Sequence, residues 1–97
     1  MVSEGEAPEF PGGAGKMYKY FDRNFKRPNG DHAEGKIYVE FIVEEDGSIS
    51  NATIKRGLEP ACDEEALRVV RGMPKWKPSV RDGKPVKSRM TVPIVVH

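Results

Sequence analysis

Residues 35–57 read GKIYVEFIVEEDGSISNATIKRG, and the spacing of their apolar side chains decides the kind of fold that follows. Ile37, Val39, Phe41 and Val43 alternate with Tyr38, Glu40, Ile42 and Glu44, the period of two that marks a half-buried strand. Asp46-Gly47 then gives a hairpin signal, because Asp and especially Gly tolerate the positive φ angles of a tight turn. The chain is expected to return at once as a second strand carrying Ala52 and Ile54. Ile49 is out of phase with both, which predicts a bulge or an irregular start there. Gly57 and Pro60 end the pair.

Moving towards the N-terminus, the period changes. Met17, Tyr20, Phe21 and Phe25 recur at helical spacing, with Lys16, Lys19, Asp22, Arg23 and Lys26 largely on the other side, so a short amphipathic helix is expected. Pro28 and the Asn29-Gly30 pair stop it. Residues 1–15 are rich in Glu, Gly and Pro without periodicity and read as a flexible leader ending in the turn-prone PGGAG. Residues 16–97 then form the domain.

Moving towards the C-terminus, Asp63 is placed as the N-cap of a second helix, with Glu64 and Glu65 complementing the positive end of its dipole. Ala66, Val69, Val70 and Met73 form its apolar stripe, Leu67 lies at the margin, and Gly72 and Pro74 terminate it. Trp76, held between Pro74 and Pro78, suits a ring folded over the core. A last strand places Val86, Met90, Val92, Ile94 and Val96 on one face, interrupted only by Ser88, with Lys87, Arg89, Thr91 and Pro93 on the other. The fold class is therefore α+β, in the order αββαβ, with two helices packed on one face of a three-stranded antiparallel sheet.

At 97 residues the chain supports one thin core. A net charge of +1 argues against a global attraction to polyanions. Charge is instead local: Lys75, Lys77, Arg81, Lys84, Lys87 and Arg89 face only Asp82 in their stretch. Lys75, Trp76 and Lys77 interleave charge with an aromatic ring that could stack on a base, so the basic segment 75–89 is the polyanion-binding alternative to a core lid. Cys62 is the single cysteine, and an internal disulfide or a Cys-rich metal site is excluded. No apolar run reaches the ~20 residues of a membrane helix.

Catalysis has little to stand on. His32 sits in a polar loop and His97 at the end of the sequence, neither beside a carboxylate that would orient it as a base or metal ligand. Asp63, Glu64 and Glu65 are consecutive, so they point around a helix rather than converging. No enzyme activity, cofactor or metal is expected. An edge strand remains. The last strand is placed to lie at a sheet edge, where unpaired amides and carbonyls can be completed by another extended peptide. Pro93 agrees, since it lacks a ladder donor and belongs on an edge with its nitrogen turned outward, or at a bulge. The same residues also fit an edge merely blunted against aggregation.

Phe10-Pro11-Gly12-Gly13, the hairpin over 35–57, Asp63 with Glu65-Ala66-Leu67-Arg68, MPKWKPSVRDGKPV over 73–86 and the closing TVPIVV together resemble the TonB C-terminal domain family. The resemblance covers nearly the whole chain and implies two helices against a three-stranded antiparallel sheet. It implies a non-enzymatic, periplasmic domain of an inner-membrane-anchored protein. Such a domain binds the TonB box of outer-membrane transporters as an added strand and transmits proton-gradient-derived force from an ExbB and ExbD complex. Carried over by residue, the augmented edge is Lys87, Ser88, Arg89, Met90, Thr91, Val92, Pro93, Ile94 and Val95. Phe10 and Pro11 match the aromatic-Pro motif whose preceding residues, here Pro8 and Glu9, contact the same transporter segment. Arg27-Pro28 stands where an aromatic-Pro pair is more usual. The sequence carries neither the membrane anchor nor the Pro-rich spacer of a full transducer, which fits an excised domain. Similar domains also form the tails of sensor-type membrane peptidases, and open edges of this kind can pair as a homodimer.

Overall fold

A computed structural model describes residues 5–28 and 34–97. The helix stop expected at Pro28 and Asn29-Gly30 comes earlier: the first helix ends at Asn24, and Phe25 is already extended at φ −76° and ψ 121°; Asn29, Gly30 and His32 lie outside the described residues. The 35–57 hairpin forms as read, from β2 (Gly35–Val43) and β3 (Ile49–Arg56), paired antiparallel. Ile37, Val39, Phe41 and Val43 are completely buried, and their alternate neighbours are not. The turn is longer than a two-residue hairpin. Glu44 N–H donates to Ser48 O (2.8 Å) and Gly47 N–H to Glu44 O (2.9 Å). Only Gly47 takes a positive φ, 88°, while the Asp46 carboxylate accepts hydrogen bonds from the Ser48 N–H and hydroxyl. The predicted irregularity falls two residues past Ile49, which itself pairs with Val43. Between Ile42↔Ser50 and Glu40↔Thr53 the returning strand has one extra residue, and Asn51 there has φ 52°.

Both helices appear: α1 (Ala14–Asn24) buries Met17 and Phe21, and α2 (Pro60–Arg71) buries Cys62, Ala66, Val69 and Val70. The start of α2 corrects the sequence reading. Pro60 opens the helix, since its fixed φ suits the first turn and its missing N–H costs nothing there, and Glu59 precedes it without a side-chain cap. Asp63, expected as N-cap, lies inside the first turn, and its carboxylate reaches back to the Leu58 N–H at 2.9 Å.

The third long strand, β6 (Ser88–Val96), completes a sheet in the order β3-β2-β6. Nine antiparallel pairs run without a register shift from Gly35↔Val96 to Val43↔Ser88. Val92, Ile94 and Val96 join the helices' buried side chains and those of β2 in one core.

The α+β class holds, but a single three-stranded sheet does not. A second small antiparallel sheet combines β1 (Gly5–Glu6), β4 (Ser79–Arg81) and β5 (Lys84–Val86), in the order β1-β4-β5. Val86 therefore closes β5 instead of opening the last strand. Residues 5–15, read as a leader, are also corrected. Gly5 and Glu6 pair with Arg81 and Val80, Glu9 and Lys77 exchange backbone hydrogen bonds of 2.9 and 2.8 Å, and Phe10 is buried. A two-residue strand is too short to show a period, and one isolated aromatic residue creates none.

Trp76 is the lid that its flanking prolines suggested. It is 5% exposed, meets Phe41 and Phe10 edge to face at 5.3 and 5.9 Å between ring centroids, and donates its backbone N–H to Gly47 O at 2.8 Å. The hairpin turn is thereby pinned to the segment following α2.

Candidate functional site: an open sheet edge

β6 owes its position to its composition. Its inward residues, Val92, Ile94 and Val96, are β-branched and at most 3% exposed, so burial fixes the register on β2. A slip of one residue would put Arg89 and Thr91 into the core. On its other side β6 has no neighbouring strand among the described residues.

Pro93 determines which backbone groups that side displays. It stands opposite Tyr38 within the unbroken ladder. Lacking an N–H, it fits only at a position whose backbone groups turn away from β2. By alternation, Arg89, Thr91, Pro93 and Val95 direct their backbone polar groups to the open side, while Met90, Val92 and Ile94 direct theirs to β2. Three amide donors and four carbonyl acceptors are thus presented along the edge.

The flanks of this edge differ. Towards its start, Lys87 is paired with Glu44 at 3.6 Å and Arg89 with Glu40 at 3.9 Å, across the solvent face of the sheet. Lys55 approaches the same Glu40 at 3.9 Å. These exposed pairs are worth little stability individually, but they neutralise the basic charge the sequence placed here. Towards its end, Val95 is 44% exposed. A cleft of about 180 Å³ opens there between the end of α1 and the strand, lined by Phe21, Asp22, Phe25, Arg27, Val95, Val96 and His97. The Nη2 of Arg27 is enclosed and has no hydrogen-bond partner among the described residues.

The sequence-derived site residues divide accordingly. Lys87 leads into the edge, and Ser88 to Val95 lie on it. Phe10 does not present its ring to a partner: it is 7% exposed and packs on Trp76 and on Tyr20, at 5.9 Å from each. Pro11 is exposed, and both Phe10 and Pro11 border a separate cleft with Lys16, Lys19, Tyr20, Arg23 and Pro74. The basic segment loses its stacking platform, since the Trp76 ring is buried, and Lys75 and Lys77 lie 3.8 Å from Asp46 and 3.5 Å from Glu6. Arg27, to which sequence reasoning gave no role, lines the cleft at the end of β6 and a second cleft with Glu64, Glu65 and Arg68. Its only signal was its occurrence where an aromatic residue is more usual before Pro28.

Away from the edge, a polar tie joins the two helices. Glu65 accepts from the Arg68 guanidinium (2.7 Å) and the Lys26 N–H (2.8 Å), and Arg68 also donates to Asn24 O. The Arg68 hydrogen bond, more than any other influence, holds the Glu65 carboxyl below its ordinary pKa. The Tyr20 hydroxyl donates to Val69 O at 2.8 Å, and burial raises its pKa. Among the described residues no group of three His, Cys, Asp or Glu side chains is arranged to hold a metal ion, and no helix is long and apolar enough to cross a membrane.

Residues 30–95, well over half of the chain, match the family described as Gram-negative bacterial TonB protein C-terminal. No curated protein and no solved structure matches.

Proposed function

The chain belongs to the TonB C-terminal family, and from that premise we propose that it binds an extended segment of an outer-membrane transporter, the TonB box, as a fourth strand beside β6. The observation that carries this reading is the unpaired side of β6, whose outward amides and carbonyls form a ready template for strand addition. The family places the domain in the periplasm, where such a segment is met. The partner's backbone bonds to Arg89, Thr91, Pro93 and Val95, and its alternate side chains fall on the two faces of the extended sheet. Pro93 can accept but not donate, so it limits the length of perfect pairing and keeps the edge from propagating into aggregates.

In this role the domain is a mechanical coupler. Force drawn through the chain from an energised inner-membrane complex of the ExbB and ExbD type reaches the transporter across the added strand. A strand sheared along its length loads several hydrogen bonds together, which suits transmission of tension through a small interface.

Thr91→Pro tests the proposal, because it removes an outward amide in the middle of the template while leaving the inward ladder to β2 intact. Binding of a fluorescent transporter-derived peptide, followed by anisotropy, is expected to weaken at least tenfold. Thr91→Val, which keeps the amide, is expected to bind like the parent. Equal binding by both variants, with amide spectra showing the fold retained, would remove strand addition at β6 as the mode.

A further inference from the structure

We propose that residues 5–10 form a releasable strap, which peels off residues 77–81 as a unit, turning about Gly12 and Gly13, while Trp76 and the main sheet stay in place. What holds the strap converges on that one short stretch. Gly5 and Glu6 pair with Arg81 and Val80, the Ser79 hydroxyl donates to Glu6 O at 2.7 Å, Lys77 Nζ lies 3.5 Å from the Glu6 carboxylate, and Glu9 and Lys77 exchange backbone hydrogen bonds. The ion pair is exposed on both sides, and pairs of that kind contribute little against water. Within 5–10 only Phe10 is buried, so one side chain is set against the entropy of ordering the whole segment.

The backbone marks both limits of the unit. Gly12 and Gly13 have φ 84° and 90°, and Gly13, at ψ 179°, occupies a region open essentially to glycine alone. Beyond its chain neighbours nothing lies within 4 Å of where a Cβ on Gly13 would stand, so packing does not fix this joint, and α1 begins directly after it at Ala14. Across the contact, Trp76 is held without the strap's backbone: its N–H donates to Gly47 O and its ring meets Phe41 at 5.3 Å between centroids. The next residue, Lys77, directs its N–H to Glu9 O instead. Adjacent amides therefore belong to different units. A pull that lifts the N-terminal end reaches the Gly5–Arg81 pair first and loads the strap's few ties one after another, whereas β6 is held on β2 by nine consecutive pairs. The strap yields first and lengthens the connection by on the order of 20 Å, at the reach of an extended chain, before the main sheet is disturbed. That role under load rests on the coupler reading above; the peeling itself does not.

Amide hydrogen exchange of the parent domain at several low urea concentrations tests the peeling. The Glu9 and Lys77 amides are expected to be protected at least about 100-fold less than those of Trp76 and of Val39 in the central strand, with rates nearly independent of urea, the mark of a local opening that exposes little surface. Glu9, Lys77 and Trp76 exchanging together, as slowly as Val39, would overturn the strap. Single-molecule pulling between handles at the two ends of the chain tests the role under load: a reversible step on the order of 20 Å is expected below the force of the main unfolding event, and one unfolding event with no earlier step would remove that role. A domain that shows both the local exchange and the early step, but binds no transporter-derived peptide at β6, keeps the strap and loses the coupler reading.

Discussion

Phe10→Ala separates the two roles that sequence and structure give to this residue. The ring is 7% exposed and sits 5.9 Å from both Trp76 and Tyr20, so removing it leaves a cavity under the lid and breaks two aromatic contacts. Core Phe→Ala changes cost about 3–5 kcal/mol, including the cavity left behind. The segment carrying Phe10 is joined to the rest by a two-residue strand and the Glu9–Lys77 bridge, so it can partly collapse into the space, and about 3 kcal/mol is the expected loss. In a domain of this size that lowers the melting temperature by on the order of 15 °C. The chain has one tryptophan, so its fluorescence reports the lid directly: Phe10→Ala is expected to shift Trp76 emission to the red as water enters. Pro11→Ala, at an exposed neighbour, is expected to change stability by less than about 0.5 kcal/mol. A fall of less than about 3 °C in Phe10→Ala, with emission unchanged, would refute a core role for residue 10 and return it to the surface.

Two further outcomes follow from the packing and the charges. Gly47→Ala would drive a Cβ into Trp76 O on a backbone at φ 88°, so urea unfolding is expected to show a loss of about 2 kcal/mol or more; an unchanged midpoint would contradict the docking of the turn on the lid. Glu65 has a folded pKa below its ordinary value of 4.5, so its contribution is complete above that value and is lost as pH falls through the folded pKa. The stability gap between the parent and Glu65→Gln is expected to narrow in thermal melts between pH 5 and about pH 2, and a constant gap would contradict the linkage.

The long periodic elements were legible because burial imposed their periods. Ile37 to Val43 and Val92 to Val96 read as strands for the same reason that they stay in register: a slip would expose a whole apolar face. The small sheet was not legible. Asp82-Gly83 is a hairpin signal of the same kind as Asp46-Gly47, and its φ angles of 52° and 77° fit a two-residue turn better. Its flanks, Ser79-Val80-Arg81 and Lys84-Pro85-Val86, are too short and too polar to alternate, so the turn stood without visible strands. Gly5-Glu6 forms a strand only because Val80 and Arg81 lie beside it, a long-range pairing with no local trace. The start of α2 was misread because Asp63, with Glu64 and Glu65 behind it, is a strong cap signal. Pro60 is as good a terminator for the strand before it as it is a first-turn residue for the helix after it, so its local signal does not choose between them.

At the candidate site, the edge followed from the alternation of β6 and from Pro93, both local features. The cleft beside Val95 did not, because it forms only where α1 and the extended segment after it, with Arg27, meet the end of β6 across the fold. No spacing in the sequence encodes that meeting.

The central claim is that β6 receives a partner strand through its outward backbone groups, and residue-resolved amide hydrogen exchange tests it most directly. In the free domain, Val92 and Ile94 are expected to exchange slowly, because they bond to β2, and Arg89, Thr91 and Val95 quickly. With a saturating transporter-derived peptide, those three amides are expected to become protected while the inward set changes little. Protection confined to loops, with Arg89, Thr91 and Val95 exchanging as fast as in the free domain, would contradict it.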